Sequence, residues 1–452
     1  MYSKSLFIFR RDLRVDDNTG LIEALHSSHE VLPCFIFDPS LLEAGKYSKN
    51  ALQFMLESLA DLEKQLEMVG GRLFLFSDLP HKVVEKLASE GTIDAVFVNH
   101  DYTPFSVRRD EAISKVCTEH GLRFHQLHDA TLQVPGSVRT QQGKMYQVFT
   151  QFFRAASKLS VEVPVLVEGG SFSNSYVSGA LESIPGFDYR NLELFVHGGR
   201  GNALEVLSDL SWLADYDRLR DFPAVMGTTG LSAHNRFGTV SIREVYHSLR
   251  DYLGSEHTLI SELYWRDFFI QLAAEHPEVF GHAFRKKFDN LHWDNDPSKF
   301  HAWSEGKTGF PIVDAGMRQL NSTGYMHNRV RMIVASFLVK DLHIDWRWGE
   351  RYFARKLVDY DPCVNNGNWQ WAASTGADAT PYFRIFNPWL QQQRFDLQCE
   401  YIKKWVPELR QMNPKDIHAL EPKNLPADTG YFKQIVDHKA EKNKALAMFK
   451  SV

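Results

Sequence analysis

The stretch Ser5–Asn18, SLFIFRRDLRVDDN, decides how the chain is read. A short apolar run ends abruptly in two arginines and a cluster of charges. Such a run, apolar on both faces, reads as an inner strand of a parallel sheet. Similar runs follow in EVLPCFIF, RLFLF, DAVFVNH and RFHQLH. Between them lie amphipathic stretches such as SKNALQFMLESLADLEKQLEMVG, closed by Gly70 and Gly71 as a helix stop. Alternating strands and helices predict a doubly wound α/β domain with a parallel sheet over residues 1–128. The first strand runs into RRDLRVDDN and not into a G-x-G-x-x-G turn, so the usual dinucleotide fingerprint is absent. The architecture alone therefore names no chemistry.

The rest of the chain has a different character. Residues 129–200 are weakly patterned and rich in Gly, Ser, Pro and Val, which predicts a connector. Beyond residue 200 strand signals nearly vanish. VSIREVYHSLRDYLG, LISELYWRDFFIQLAAEH, GYMHNRVRMIVASFLVKDL and WGERYFARKLVDYD all read as helices. An all-α domain is expected over residues 201–452. All ten tryptophans lie in that half.

Composition narrows the function classes. The four cysteines, Cys34, Cys117, Cys363 and Cys399, lack CxxC spacing. That argues against a disulfide framework and a zinc site and fits a reducing cytoplasm. The N-terminus has too short an apolar run for a secretory signal, and no stretch is apolar enough to span a bilayer. A net charge of −5 gives no global pull toward nucleic acid, so DNA binding would need a local basic patch.

Four segments carry candidate chemistry. In SELYWRDFF, Glu262 and Arg266 are i, i+4 partners with Trp265 beside them, either a surface ion pair next to a core tryptophan or a polar and aromatic pocket wall. In GYMHNRVRM, an apolar helix carries Asn328, Arg329 and Arg331 at its start. A buried guanidinium demands an anion, so this end emerges at the surface or lines a cavity. Asp359 and Asp361 lack a third ligand at metal spacing and read instead as acceptors for an arginine or for ligand hydroxyls, with Asn365 one turn beyond Asp361. In GTTGLS, the hydroxyls and amides of Thr228, Thr229, Gly230 and Ser232 offer a weak phosphate-binding signal. Finally, Trp369 and Trp371 are two apart, so a helix turns them to nearly opposite sides.

Taken together, these segments resemble the photolyase/cryptochrome family, and in particular class I cyclobutane pyrimidine dimer photolyases. The resemblance begins at FRRDLRVDDN, runs through YQVFTQFFRA and RDFPAVMGTTGLS, and becomes dense in GKTGFPIVDAGMRQLNSTGYMHNRVRM and ASTGADATPYFRIFNP. It implies an N-terminal antenna domain and a helical domain holding FAD, active when reduced. Flavin contacts are implied for Tyr216, Thr228, Thr229, Gly230, Leu231, Ser232, Arg266, Asn328, Arg331, Asp359, Tyr360, Asp361 and Asn365, with Arg331 pairing with Asp359 and Asn365 beside the flavin N5. Glu262, Asn365 and Met332 are implied as catalytic. Arg220, Glu262, Trp265, Asn328, Arg329, Met332 and Trp371 would face DNA. Trp369, Trp346 and Trp293 match an electron relay.

The implied activity is light-driven repair of pyrimidine dimers in DNA by a monomer, with no membrane partner, in a prokaryotic cytoplasm beside the nucleoid. Photolyases turn their target out of the duplex, and an extruded dimer needs flat apolar walls and a few hydrogen-bonding groups. Phe105 and Ser106 stand where some relatives carry the Asn-Glu pair that holds a folate, which puts a folate antenna in doubt and leaves a deazaflavin, another flavin or no antenna open. Asn328 and Met332 replace the two histidines of (6-4) photolyases. A signalling cryptochrome, the alternative, predicts a C-terminal extension that the chain lacks.

Overall fold

The computed structural model describes residues 1–41, 47–174, 176, 179–184, 186–420 and 429–452; Ser175, Val177, Ser178 and Pro185 of the expected connector lie outside the described residues. The chain forms two compact units. The first comprises Met1–Leu192, Val196–Ser211 and Thr229–Pro277, and the second Glu193–Phe195, Trp212–Thr228 and Glu278–Val452.

In the first unit, strands β1 (Tyr2–Phe9), β2 (Ser28–Phe37), β3 (Phe74–Ser77), β4 (Ala95–Asn99) and β5 (Arg123–Leu127) form one sheet in the order β3-β2-β1-β4-β5, with every pairing parallel. Helices α1 (Thr19–Ser27), α2 (Lys49–Met68), α3 (Pro80–Ser89) and α4 (Pro104–Glu119) connect the strands. Leu6, Phe7 and Ile8 of the central strand are buried, as expected for a strand covered on both faces.

Strand order reverses between β1 and β4, where doubly wound sheets offer a ligand crevice at the strands' carboxyl ends. Here the chain fills that place with its own charges. Arg10 pairs with Asp110 and donates to the Asn99 carbonyl. Asn99 Nδ2 donates to Asp12 and Asn18. Gly20 N donates to Asn99 Oδ1 at 2.9 Å, and a Cβ on Gly20 would stand 2.7 Å from that oxygen. Arg14 and Arg243, the latter on the helix Ile242–Leu253, reach Asp129 at 2.7 and 2.9 Å. Burial pushes the Asp129 carboxyl up, but the two guanidiniums override it and hold it well below the usual carboxylate range. The RRDLRVDDN segment is thus a buried ionic lock in the place of a nucleotide fingerprint.

The second unit is helical, and among the described residues it contains no strand. Helices Pro311–Thr323, Asn328–Lys340, Trp346–Lys356 and Pro362–Ala372 build its core around Trp303, Val334, Leu338, Phe353 and Trp369. Each of the last three helices starts at a local signal. His327 Nδ1 accepts from Arg329 N, Asp345 accepts from Arg347 N, and Asp361 precedes Pro362 and accepts from Cys363 N and Val364 N. Gly349 lets two helices approach closely, since a Cβ there would lie 2.1 Å from the Trp369 ring. Among the described residues no helix is long and apolar enough to cross a membrane.

Candidate functional site

The second unit concentrates the candidate side chains at the starts of two helices. Arg331, in the first turn of Asn328–Lys340, donates from Nη2 to Asp359 Oδ2 at 2.9 Å and from Nε to the Met326 carbonyl. The carboxylate side chain is only 4% exposed and the guanidinium 25%, so a buried acid meets the cation that its position demands. Asp359 Oδ1 is buried without a hydrogen-bond partner, and so is His327 Nε2. Burial pushes the His327 imidazole down to about 4, so the ring is neutral. Its Nδ1 already accepts a backbone amide, which leaves the proton on Nε2 as a buried donor. Asp361 caps Pro362–Ala372, which accounts for its carboxylate without a metal. Tyr360 is half-buried beside it and Asn328 is exposed.

One turn into the same helix, Asn365 Nδ2 donates to Glu350 Oε1 and to the Glu350 carbonyl, each at 3.2 Å. Among the described residues no donor reaches its Oδ1. Nothing in the sequence marks Glu350 as part of a site. Burial raises its carboxyl above the ordinary range, opposed by the Asn365 hydrogen bond. Trp369 is 2% exposed in the core and Trp371 is half-buried, so the two-residue spacing separates an inner from an outer tryptophan.

The three expected relay tryptophans have separate aromatic surroundings. Trp369 packs edge-on against Trp303 and Phe353, with centroids 6.3 and 5.0 Å apart. Trp346 is buried with the Arg347 guanidinium 5.0 Å over its ring. Trp293 is half-buried against Phe449 at 6.3 Å. Among the described residues no ring pair joins any two of the three.

Met332 and Arg329 are half-buried on the helix that carries Arg331. Arg329 Nη2 donates to Asp221 at 2.7 Å, and its guanidinium sits 4.4 Å over the Phe395 ring. Arg220 lies 5.6 Å over the buried Tyr216 ring. Tyr325 stacks on Phe195 at 4.0 Å with 6° between the planes.

In the first unit, Glu262, Trp265 and Arg266 are half-buried on the helix Thr258–Glu275. Trp265 stacks on Phe149 at 3.6 Å and 10°, a partner from YQVFTQFFRA that spacing alone could not reveal. Arg266 donates to the carbonyls of Ala130 and Asn235. Thr229 Oγ1 accepts from Leu231 N just ahead of the short helix Ser232–Phe237, whose first amides have no side-chain cap. Asn235 Oδ1 is buried without a partner. Ser106 is 2% exposed and bonded to Thr103 at the start of α4. A cavity of about 820 Å³ lies along α4 and β5, lined by His100, Tyr102, Asp110, Gln126, His128 and Arg139 among others, and holds none of the candidate residues.

These residues fit a flavin nucleotide. Within the second unit, the unpartnered Asp359 Oδ1 suits a ligand hydroxyl and His327 Nε2 suits a ligand carbonyl, groups that a flavin's ribityl chain and ring carry.

Comparison with known proteins agrees. Residues 5–167 match the family described as DNA photolyase, and residues 259–451 match the FAD binding domain of DNA photolyase. A deoxyribodipyrimidine photo-lyase of Vibrio cholerae is 39% identical, with 98% of each chain covered. Among solved structures, an archaeal photolyase from Sulfolobus tokodaii with two FAD molecules superposes with a TM-score of 0.90 at 44% identity, covering 99% of this chain and 100% of that one. A Synechocystis cryptochrome gives a TM-score of 0.90 at 29% identity, covering 99% of each.

Proposed function

The chain belongs to the DNA photolyase family, and we propose that it splits cyclobutane pyrimidine dimers in DNA using light and a reduced FAD. The bound flavin supplies the light-driven electron, which returns once the cyclobutane bonds have opened, so there is no net redox change. The protein holds and orients. In this reading Asp359 and Asp361 receive ribityl hydroxyls, Arg331 holds Asp359 in place, and the Thr228–Ser232 segment takes the phosphates. Asn365 addresses the flavin N5 with the oxygen left free by its bond to Glu350. Glu262 hydrogen-bonds the extruded dimer, and Trp265, Met332 and Trp371 supply flat apolar walls. Arg220 and Arg329 meet DNA phosphates.

The Arg331–Asp359 pair carries the reading, as a buried acid with one oxygen satisfied and the other waiting for a donor. Asn328 and Met332 favour cyclobutane dimers over (6-4) products, whose repair needs proton donors at those places. A second chromophore would harvest light; the Sulfolobus photolyase holds two FAD molecules, and a light-harvesting cofactor is implied for that protein. Phe105 and Ser106 disfavour a folate held in the usual way, since Ser106 is committed to the start of α4.

The test uses purified protein, FAD-loaded and chemically reduced, with a thymine-dimer oligonucleotide under blue light. Dimers should disappear only in the light. A protein whose flavin photoreduces but which leaves dimers intact would be a photoreceptor, and the repair reading would fall.

A further inference from the structure

The helix His438–Lys450 is fastened to the second unit by one set of charges and shows another to solvent. His438 Nδ1 lies 2.5 Å from Asp341, Glu441 pairs with His343 at 2.7 Å, and Lys444 pairs with Asp294. Lys439, Lys442 and Lys450 are exposed, and at helical spacing they share one stripe.

The last turn of this helix lies against a second run of cations. Phe449 meets Phe288 at 5.8 Å and Trp293 at 6.3 Å. Lys287 Nζ donates to the Val452 carbonyl at 3.2 Å and stands 4.7 Å over the Phe288 ring. Arg285 and Lys286 are exposed beside it. The acids of the same segments are engaged. Asp289 pairs with Arg347, Asp294 with Lys444 and Glu441 with His343, while Asp437 caps the helix by accepting from Ala440 N. Among the described residues none of these six cations has an ion pair. A chain with a net charge of −5 thus carries a concentrated basic surface around Trp293.

We propose that this surface docks an acidic protein that donates single electrons to Trp293. The proposal rests on the flavin reading above, with Trp293 as the outer end of the relay. Charge complementarity selects an acidic partner. The stripe from Lys439 to Lys450 runs eleven residues, about 16 Å, the scale of a protein footprint and not of a small anion. Five of the six cations are lysines, whose hydrated ammonium groups speed encounter more than they tighten binding. Fast arrival and ready departure suit an electron donor, whose interfaces are small and short-lived. The half-buried Trp293 ring, held by Phe449 between the two runs of cations, is where the electron would enter.

The step balances with one electron. The partner's reduced centre loses it, and the oxidised Trp293 indole regains its neutral form. If the indole has shed its N–H proton, water returns that proton. No other bond is made or broken.

The test offers the FAD-loaded full chain two haem donors of opposite charge, acidic ferrocytochrome b5 and basic ferrocytochrome c. Haem oxidation under blue light reports electron entry, and anisotropy of labelled cytochrome b5 in the dark reports docking without any photochemistry. At low salt the acidic donor should be oxidised at least about tenfold faster than the basic one, and the preference should vanish in high salt. The triple variant Lys439→Glu, Lys442→Glu, Lys450→Glu should lose both the docking and the preference, while photoreduction by a neutral thiol stays within about twofold of the parent. Trp293→Phe should keep the docking and lose the light-driven oxidation. Equal rates with the two cytochromes, or a preference that survives the triple variant, would overturn the proposal. Charge reversal that weakens binding of undamaged duplex DNA as strongly as that of cytochrome b5 would make the surface a DNA contact, and would overturn it too. A parent that no thiol photoreduces would sink the flavin reading instead, with the dark binding still reporting on the surface.

Discussion

Asn365 and Glu350 are joined by a hydrogen bond of 3.2 Å from the amide Nδ2 to the carboxylate Oε1, with the Glu350 backbone carbonyl accepting from the same nitrogen. An asparagine can present either its oxygen or its nitrogen. Two acceptors on the nitrogen settle the choice and, among the described residues, leave the oxygen without a donor. Such an oxygen suits the N5–H of a reduced flavin.

Glu350→Gln should weaken that choice, because a neutral amide can donate to Asn365 Oδ1 as readily as it can accept. A hydrogen bond to a charged group contributes about 1.5–3 kcal/mol, so the reduced flavin should lose its protection by roughly tenfold. The measurement is the lifetime of photoreduced flavin in air, with FAD content checked first. An unchanged lifetime would remove Glu350 from the site.

Arg329 is paired in the fold with Asp221 at 2.7 Å, and its guanidinium lies 4.4 Å over the Phe395 ring. Asp221→Asn should release one positive charge, tighten DNA binding and steepen the dependence of log affinity on log salt by about 0.9, the increment for one added phosphate contact. Arg329→Ala should flatten the slope or leave it unchanged. Fluorescence anisotropy across a salt series separates the two, and a shallower slope in Asp221→Asn would contradict the assignment.

Strands β1 to β4 were legible because each contains a local run of apolar residues, β5 less so because RFHQL mixes polar and apolar side chains, and the helix α2 because Gly70 and Gly71 follow it. The Arg331–Asp359 pair was legible too, on the cost of burying a guanidinium and on the resemblance. RRDLRVDDN was not. Its partners Asn99, Asp110, Asp129 and Arg243 are scattered along the chain, and nothing local announces which charges will meet. Glu350 stayed hidden for the same reason, sitting on a neighbouring helix fifteen residues before Asn365. Periodicity reports burial of a face, and it says nothing of which buried donor meets which acceptor.

Phe149 illustrates the same gap in an apolar setting. It is 7% exposed and stacks on Trp265 at 3.6 Å. Phe149→Ala should destabilise the protein by about 3–5 kcal/mol in urea unfolding. Phe149→Leu keeps most of the volume and should lose only the aromatic increment, about 0.5–1.5 kcal/mol. If Trp265 forms a wall for an extruded base, Phe149→Leu should also weaken binding of dimer-containing oligonucleotide more than of undamaged DNA. Equal weakening would leave Trp265 as a packing residue only.

Asp267 makes stability depend on pH. It has no exposed surface, its Oδ2 accepts from Gln133 N at 3.1 Å, and its Oδ1 has no partner. Burial pushes its carboxyl up to about 7, against the opposing pull of Arg266 and the amides of Gln133 and Leu132. The folded protein therefore keeps a proton that the unfolded chain has already released near pH ~4. Stability falls wherever the folded state binds more protons, so this residue's contribution is full below about pH 4, declines as pH rises to about 7, and is flat above. Asp267→Asn keeps the acceptor for Gln133 N and cannot ionise. Between about pH 4.5 and 8 the parent should lose roughly 2–4 kcal/mol more than the variant. Lys340, pushed down to about 7, and Asp341, pushed up to about 6, titrate in the same window, but both are present in each protein and cancel in the difference. Thermal unfolding at the two pH values measures it, and a parent that loses no more than the variant would show that Asp267 is ionised in the fold.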